Sequence, residues 1–139
     1  MLNVSHGKEI ILHVKNDMGV LEEITRLIAE RGISVIAVLA IAEEDMCQLH
    51  LVTTDNLRAC DLLEEHAYAP VEESVVLVDV PHKAGMLKRL TKRLDADGID
   101  IRKFYATARE QDANCLMVLR TTNDARAMVA LSEFVQEIA

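Results

Sequence analysis

One stretch of this chain occurs twice, and this repeat restricts the possible folds more than any other feature of the sequence. Residues 14–33 read VKNDMGVLEEITRLIAERGI and residues 80–99 read VPHKAGMLKRLTKRLDADGI, and the two copies align without a gap. Gly19 falls on Gly85 and Gly32 falls on Gly98, 66 positions later in each case. Such self-similarity indicates two copies of one supersecondary unit. Function should therefore depend on what two such units do together.

The first copy predicts strands and helices in the order βαββαβ. Residues 8–14 alternate between apolar and polar side chains, which is strand periodicity. After a turn at residues 16–19, apolar residues recur at helical spacing until Gly32 ends the helix. The remaining predicted elements are a hairpin over residues 33–42 and 46–53, a helix capped by Thr54 or Asp55 that buries Leu57, Cys60, Leu62 and Leu63, and a short strand over residues 68–71.

The second copy repeats this order as far as its second helix and then stops. Its predicted elements are strands over residues 75–80, 101–108 and 114–120 and a last helix through Leu131, Phe134 and Ile138. No final strand is predicted after that helix, so one sheet edge needs a neighbour from another segment or another chain. The sequence therefore predicts an α+β protein of two tandem units, residues 1–72 and 73–139, with the last strand of the second unit missing.

Composition excludes several classes of partner. The net charge of −8 and the aromatic content of 3% disfavour nucleic acid, which is bound through phosphate neutralisation and base stacking. The longest apolar run, residues 35–42, is far shorter than the ~20 residues of a membrane helix, and the N-terminus shows no secretory signal. Cys47, Cys60 and Cys115 form no CxxC pair and are expected to be thiols in a reducing cytoplasm.

The repeated motifs KNDMGVLEEIT and PHKAGMLKRLT, placed between strand one and helix one of each copy, resemble those of the ACT domain. This is a small regulatory fold attached to many enzymes of amino-acid biosynthesis, and here it would be a stand-alone tandem. The resemblance implies a ferredoxin-like fold, in which an antiparallel four-stranded sheet carries both helices on one face. It also implies that domains pair side by side through strand two, with an effector amino acid bound between one domain's first turn and its neighbour's strand two.

The predicted strand two supports such pairing through its own composition. Residues 33–42 are apolar on both faces, and an edge strand of that kind is prone to aggregate unless it is covered. We therefore expect a homodimer, with an enzyme or regulator as a further possible partner. The predicted interface residues are Ile36, Val38, Ala40, Phe104 and Ala106.

The two glycine turns are the predicted ligand sites. At a helix N-terminus the first N–H groups lack intrahelical partners, so a carboxylate binds there without a cationic side chain. Asn16 or Asp17 would accept from a ligand ammonium, and by the resemblance Asn16 occupies a ligand-contacting position. In the second copy His82 and Lys83 replace them, which favours an anion, a different ligand or none. The predicted site residues are Asn16, Asp17, Met18, Gly19, Val20 and Leu21, with His82, Lys83, Ala84, Gly85, Met86 and Leu87 in the second copy.

Other interpretations of the same residues remain open. Asn and Asp before Gly are also ordinary turn residues. His13 and His50 share a strand face and raise the question of a metal, but no third ligand is evident and none is predicted. No spacing of nucleophile, base or paired carboxylates suggests catalysis, and no cofactor is expected. The sequence therefore favours a non-catalytic module that binds an amino acid, with a purely structural dimerisation or docking module as the alternative.

Overall fold

The structure, a computed structural model, describes residues 3–81, 83–107 and 114–138. No helix in these residues is long and apolar enough to cross a bilayer. The elements are β1 (Asn3–Lys15), α1 (Val20–Glu30), β2 (Val35–Glu43), β3 (Met46–Thr53), α2 (Asn56–Glu65), β4 (Val71–Pro81), α3 (Met86–Ala96), β5 (Ile101–Ala106), β6 (Asn114–Thr121) and α4 (Asp124–Ile138). The chain forms two compact units: an N-terminal unit, Lys8–Glu73, and a C-terminal unit made of Met1–Gly7 with Ser74–Ala139.

The N-terminal unit is an antiparallel sheet with both helices on one face. Its strand order is β2-β3-β1, and Leu12 of β1 lies opposite Leu49 of β3. Alternate residues of β1 and β3 pack against α1 and α2, because successive side chains of a strand point to opposite faces. The core they form consists of Ile10, Leu12, Ile24, Ile28, Ile33, Leu49, Leu51, Ala59, Cys60 and Leu63. The predicted α+β class, with an antiparallel sheet and both helices on one face, is confirmed here.

The C-terminal unit repeats this arrangement and completes its sheet with the start of the chain. Its strands β4, β6 and β5 are antiparallel neighbours, with Val78 opposite Met117. The N-terminal end of β1 lies beside β4, where the last strand of this copy was predicted to be missing. Val4 packs against the core of this unit, and a Cβ placed on Gly7 would stand 2.6 Å from Leu77 Cδ1.

Two sequence predictions are wrong in detail. The strand predicted over residues 68–71 begins only at Val71, and it continues without a break into the strand predicted over residues 75–80 to form β4. Glu72, Glu73 and Ser74 include no turn-forming glycine and continue the extended backbone, whereas residues 68–70 belong to no strand. The predicted stripe of α2 included Leu57, whose surface is 70% exposed. Ala59 takes its place beside Cys60, Leu62 and Leu63, since Leu57 lies in the first turn, on the solvent side of the helix.

The two units repeat some polar contacts as well as the hydrophobic core. Arg58 of α2 donates to the carbonyl of Arg31 after α1 at 3.1 Å, and Arg126 of α4 donates to that of Asp97 after α3 at 2.8 Å. In both units a guanidinium thus satisfies a carbonyl at the end of the first helix, where intrahelical donors are lacking. Asp55 caps α2 by accepting from the N–H of Arg58, as one of the two predicted caps.

Candidate functional site

A cavity of about 290 Å³ opens in the N-terminal unit where β1 turns into α1. The apolar groups of its lining come from β1, α1 and the β2–β3 hairpin, and the polar groups come from the turn and the first turn of α1. The lining residues are Val14, Lys15, Asn16, Asp17, Gly19, Val20, Leu21, Glu22, Ile24, Ala40, Ala42, Cys47 and Leu49.

The turn at this cavity is held by backbone hydrogen bonds. Gly19 precedes α1 with φ of 89° and ψ of −6°, a left-handed conformation that glycine adopts without steric cost. The N–H of Val20 donates to Asp17 O at 3.3 Å, and the N–H of Asn16 donates to Asp45 O at 2.7 Å. The second bond ties the turn to the tip of the β2–β3 hairpin. The backbone that bounds the cavity is therefore held by one hydrogen bond within the turn and by one to the hairpin.

The first turn of α1 supplies backbone N–H groups to one end of the cavity, and the same turn carries the carboxylates of Glu22 and Glu23. The N-cap residue of this helix is Gly19, which has no side chain that could cap it. The first N–H groups of an α-helix have no intrahelical acceptor, and the helix dipole adds roughly half a positive charge there. Val20, Leu21 and Glu22, which belong to this turn, all line the cavity. A carboxylate is the ligand group that such a position accommodates best.

The rest of the cavity combines opposite charges at its rim with an apolar interior. Lys15 contributes an ammonium, whereas Asp17 and Glu22 contribute carboxylates. The interior is formed by aliphatic side chains and one thiol, which exclude charged ligand groups because a buried charge needs a partner. A small molecule that carries both a carboxylate and an ammonium, attached to an uncharged side chain, fits this distribution.

The C-terminal unit contains an equivalent but smaller cavity of about 200 Å³. Gly85 precedes α3 with φ of 84° and ψ of −4°, and the N–H of Met86 donates to Lys83 O at 3.1 Å. The turn geometry is thus the same in both units. The described lining residues are Pro81, Lys83, Gly85, Met86, Leu87, Phe104, Ala106, Thr107, Cys115 and Met117.

The two cavities differ in charge and in size. Lys83 occupies the position that Asp17 holds in the first copy, so the rim of the second cavity carries a cation in place of a carboxylate. Phe104 stands at the position of Val38 and lines the second cavity, whereas Val38 does not line the first. The same turn is therefore surrounded by different chemistry in the two units.

Most of the predicted ligand-site residues line the two cavities. Asn16, Asp17, Gly19, Val20 and Leu21 line the first, and Lys83, Gly85, Met86 and Leu87 line the second. Met18 and Ala84 are exposed and line neither cavity, and His82 lies outside the described residues. Among the predicted interface residues, Ala40, Phe104 and Ala106 line a cavity, whereas Ile36 and Val38 are exposed on β2, at the end of the strand order.

The sequence analysis did not predict that residues of β3 line the first cavity and residues of β6 line the second. Cys47 lines the first cavity and Cys115 the second, 68 positions later, which is the spacing that also relates Thr53 to Thr121. This shared spacing is the sequence feature from which the equivalent positions of the two cysteines could have been predicted. Burial, and then the nearby Asp79 carboxylate, raises the pKa of the Cys115 thiol. Cys115 therefore stays protonated and forms part of an apolar wall.

The two histidines considered for a metal have other contacts. His50 is only 4% exposed, and its Nδ1 lies 3.2 Å from Oε1 of the buried Glu9. His13 Nε2 lies 2.9 Å from the side-chain nitrogen of Gln48. Within the described part of the chain, no group of three or more His, Cys, Asp or Glu side chains is arranged to hold a metal ion.

Comparison with known proteins relates this chain to others through its fold. No model of a known protein family matches the chain, and no curated protein sequence matches it either. Among solved structures, protein BT0572 from Bacteroides thetaiotaomicron is similar with a TM-score of 0.86 and 24% sequence identity, over 94% of this chain and 89% of that one.

Two further similar structures have names that state a role. The ligand-free regulatory subunit of aspartate kinase from Thermus thermophilus has a TM-score of 0.67 and 12% identity, over 95% of both chains. The corresponding regulatory subunit from Thermus flavus has a TM-score of 0.61 and 12% identity, over 99% of this chain and 94% of that one. At these identities the comparison establishes a shared fold, and that fold occurs in regulatory subunits of an enzyme.

Proposed function

We propose that this chain is a non-catalytic regulatory module that binds a small amino acid in the cavity of the N-terminal unit. The observation that carries the proposal is the combination, in one cavity, of an uncapped helix start at Gly19 with rim charges of both signs. The occurrence of the same fold in regulatory subunits of aspartate kinase supports a regulatory role.

The cavity suggests how the ligand would lie. Its carboxylate would accept from N–H groups in the first turn of α1 beyond Val20, whose own N–H donates to Asp17 O, as anions do at helix N-termini. Its ammonium would donate to the Asn16 side-chain oxygen or to the Asp17 carboxylate at the rim. Its side chain would then extend toward Ala40 and Leu49 and be held by apolar contact. A volume of about 290 Å³ suits a small or medium uncharged side chain.

The C-terminal cavity is not proposed to bind the same ligand. Replacement of Asp17 by Lys83 removes the acceptor for an ammonium, and a cation there would repel it. Phe104 also lines this cavity, which is the smaller of the two. The duplicated fold would thus provide one amino-acid site and one divergent copy.

Ligand occupancy would be transmitted through the edge of the N-terminal unit. β2 ends the strand order β2-β3-β1 and exposes Ile36, Val38 and Ile41. Ala40 of the same strand lines the cavity, so a second copy paired along β2 would lie next to the ligand. A ligand that contacts both copies strengthens their association, and pairing strengthens ligand binding by the same factor. An enzyme or regulator that binds only the paired form of this protein would then respond to the ligand.

Thermal unfolding in the presence of each common amino acid tests the proposal. A ligand at ten times its Kd adds about 1.4 kcal/mol to the stability of the folded state, which raises Tm by roughly 4 °C for a chain of this size. We expect one or two amino acids to produce such a shift. Asn16→His and Asp17→Lys, which introduce the second-copy residues, should abolish it.

Leu57→Ala is a matched control for these variants, because Leu57 is exposed on α2 and does not line the cavity. It should retain the full ligand-induced shift. If no amino acid shifts the Tm of the wild-type protein while a β2-mediated dimer persists, the sensing proposal is wrong and a structural dimerisation module is favoured. The exposed apolar residues of β2 are the observation that supports this second candidate.

A further inference from the structure

The C-terminal unit has a second concave surface, and its described lining residues differ from those of the cavity at the glycine turn. It is a shallow depression of about 520 Å³ over β5 and β6. Of the described residues that line it, three are cationic and two carry hydroxyl groups: Arg102, Lys103, Arg120, Thr121 and Thr122. We refer to these five residues as the basic depression.

The sheet register brings the cations together. Lys103 of β5 is the direct cross-strand partner of Arg120 of β6. Both lie on the sheet face opposite the helices, because their neighbours Phe104 and Leu119 pack in the core and side chains alternate along a strand. Like charges placed directly opposite destabilise a strand pair. Lys103 and Arg120 each also interact with other groups of the protein.

A register shift in β5 brings the third cation to the same place. The shift lies between Ile101 and Lys103, so Arg102 sits at the irregularity. Bulged residues are often found where a strand directs a side chain to a functional site. The side chain of Arg102 is exposed at the sheet edge, where a ligand can reach it.

The first copy shows that the fold does not require these charges. The same register shift occurs in β2, between Val35 and Ala37. The positions that match the three cations are occupied there by aliphatic residues, Ile36, Ala37 and Val52. The backbone is therefore repeated with apolar side chains in one unit and with three cations in the other.

We propose that the basic depression binds a small multivalent anion, specifically the phosphate or diphosphate group of a small metabolite. Arginine forms bidentate hydrogen bonds with phosphate oxygens, and lysine adds a compact charge. The hydroxyl of Thr122 accepts from the N–H of Asp100 at 3.2 Å, and its own proton can be donated to a ligand. Among the residues that the structure describes at this surface none is aromatic, so recognition rests on the phosphate and not on stacking with a base.

The environment of Lys103 agrees with an anionic ligand. Burial lowers the pKa of its ammonium, which means that the charged form is incompletely solvated in the folded protein. An anion placed beside it would stabilise the charged form. A long polyanion is disfavoured, because it requires a continuous basic track and this protein is acidic as a whole.

Calorimetric titration with inorganic pyrophosphate tests the proposal on the wild-type protein. We expect saturable binding of one equivalent per chain that weakens as salt is raised. Arg102→Ile and Arg120→Val each introduce the residue that stands at the matching position of the first copy. Isoleucine and valine both favour β-strands, so these changes should preserve the sheet. Each should weaken binding about 10-fold, the loss of one charge-assisted hydrogen bond. Arg102→Lys retains the charge and should lose less.

Lys92→Ala is the control for net charge, since Lys92 is exposed on α3 and does not line the basic depression. It should bind pyrophosphate as the wild type does. Titration with ADP should give an affinity close to that of pyrophosphate if phosphate alone is recognised, and a much tighter one if a nucleoside also contributes. Melting curves would show whether Arg120→Val remains folded. If it does not, Arg102→Ile still tests the proposal, because Arg102 is at the exposed edge of the sheet.

Three outcomes would overturn the proposal. The first is the absence of binding up to about 10 mM pyrophosphate at low salt. The second is equal weakening by Arg102→Ile and by Lys92→Ala, which would indicate non-specific charge attraction. The third is binding of an acidic peptide or of RNA without any binding of pyrophosphate, which would make the depression a contact surface for a macromolecule.

Discussion

At the scale of single residues, Gly19 sets the turn that bounds the N-terminal cavity. A Cβ at this position would meet nothing within 4 Å, so a larger residue is opposed by the backbone conformation and not by a clash. With φ of 89°, Gly19→Ala should cost about 1–2 kcal/mol in free energy of unfolding, as expected for a left-handed non-glycine residue. Denaturant unfolding measures this value.

Gly85→Ala provides an internal comparison, because Gly85 has nearly the same φ of 84° and the same open surroundings. Its cost should match that of Gly19→Ala. Gly19→Asn should cost less, since asparagine tolerates the left-handed region better than alanine. Equal stability of Gly19→Ala and the wild type would show that the turn relaxes without strain.

The thiol of Cys60 should make stability fall in alkaline solution. Burial, and then the Glu72 carboxylate, raises its pKa from 9.0 to about 11. The unfolded chain therefore loses this proton at lower pH than the folded protein, so the stabilising effect is complete below pH 9 and is lost as pH rises toward 11. The free energy of unfolding of Cys60→Ala should fall less steeply across this range. Parallel pH curves for the two proteins would contradict the assignment.

At the scale of elements, the second helix of each unit donates a hydrogen bond to the C-terminal end of the first helix. Arg58→Ala removes the hydrogen bond to Arg31 O and should cost about 0.5–1 kcal/mol, because the guanidinium is exposed and also interacts with the helix dipole. Arg126→Ala should have a similar cost through the loss of the bond to Asp97 O. Chemical denaturation measures both.

Lys88→Ala is the control for these arginines, since Lys88 is an exposed cation on α3. Its effect should be within a few tenths of a kcal/mol. If Arg58→Ala and Arg126→Ala were as neutral as this control, the repeated arginine contacts would have no role in joining the helices.

The elements themselves were largely predictable because their signals are local. The helical spacing of apolar residues before Gly32 and Gly98 located α1 and α3, and alternation located β3 from Met46 to Thr53. The continuity of β4 was not predictable in this way. Glu72 and Glu73 look like loop residues in the sequence, and the strand that contains them is recognised only through long-range pairing, such as that of residues 76–81 with β6.

The cavity was predictable only in part. Asn16, Asp17 and Gly19 belong to a local turn motif that the repeat made visible. Cys47 and Leu49 reach the cavity through the pairing of β3 with β1, and sequence spacing does not reveal which face of a hairpin meets a turn about 30 residues earlier. The place of residues 3–7 beside β4 likewise depends on a long-range contact.

At the scale of the whole molecule, pairing along β2 should depend on its exposed apolar residues. Val38 is 50% exposed, and Val38→Asp would place a charge in the proposed contact between two copies. An unpaired charge in an apolar interface costs several kcal/mol, so we expect the dimer constant to weaken at least about 10-fold. Sedimentation equilibrium measures it. Leu57→Asp, an equal change at an exposed site on α2, should leave the dimer intact, and an unchanged Val38→Asp dimer would exclude β2 as the interface.

The most direct test of amino-acid binding is a ¹⁵N–¹H correlation spectrum of the wild-type protein recorded with and without an equimolar mixture of the common amino acids. We expect the amide signals of Gly19, Val20 and Leu21 to shift, because these groups start α1 at the cavity. The signals of Gly85 and Leu87, at the matching turn with its cationic rim, should stay in place. Unchanged signals at Gly19, or equal shifts at Gly19 and Gly85, would contradict an amino-acid site confined to the N-terminal unit.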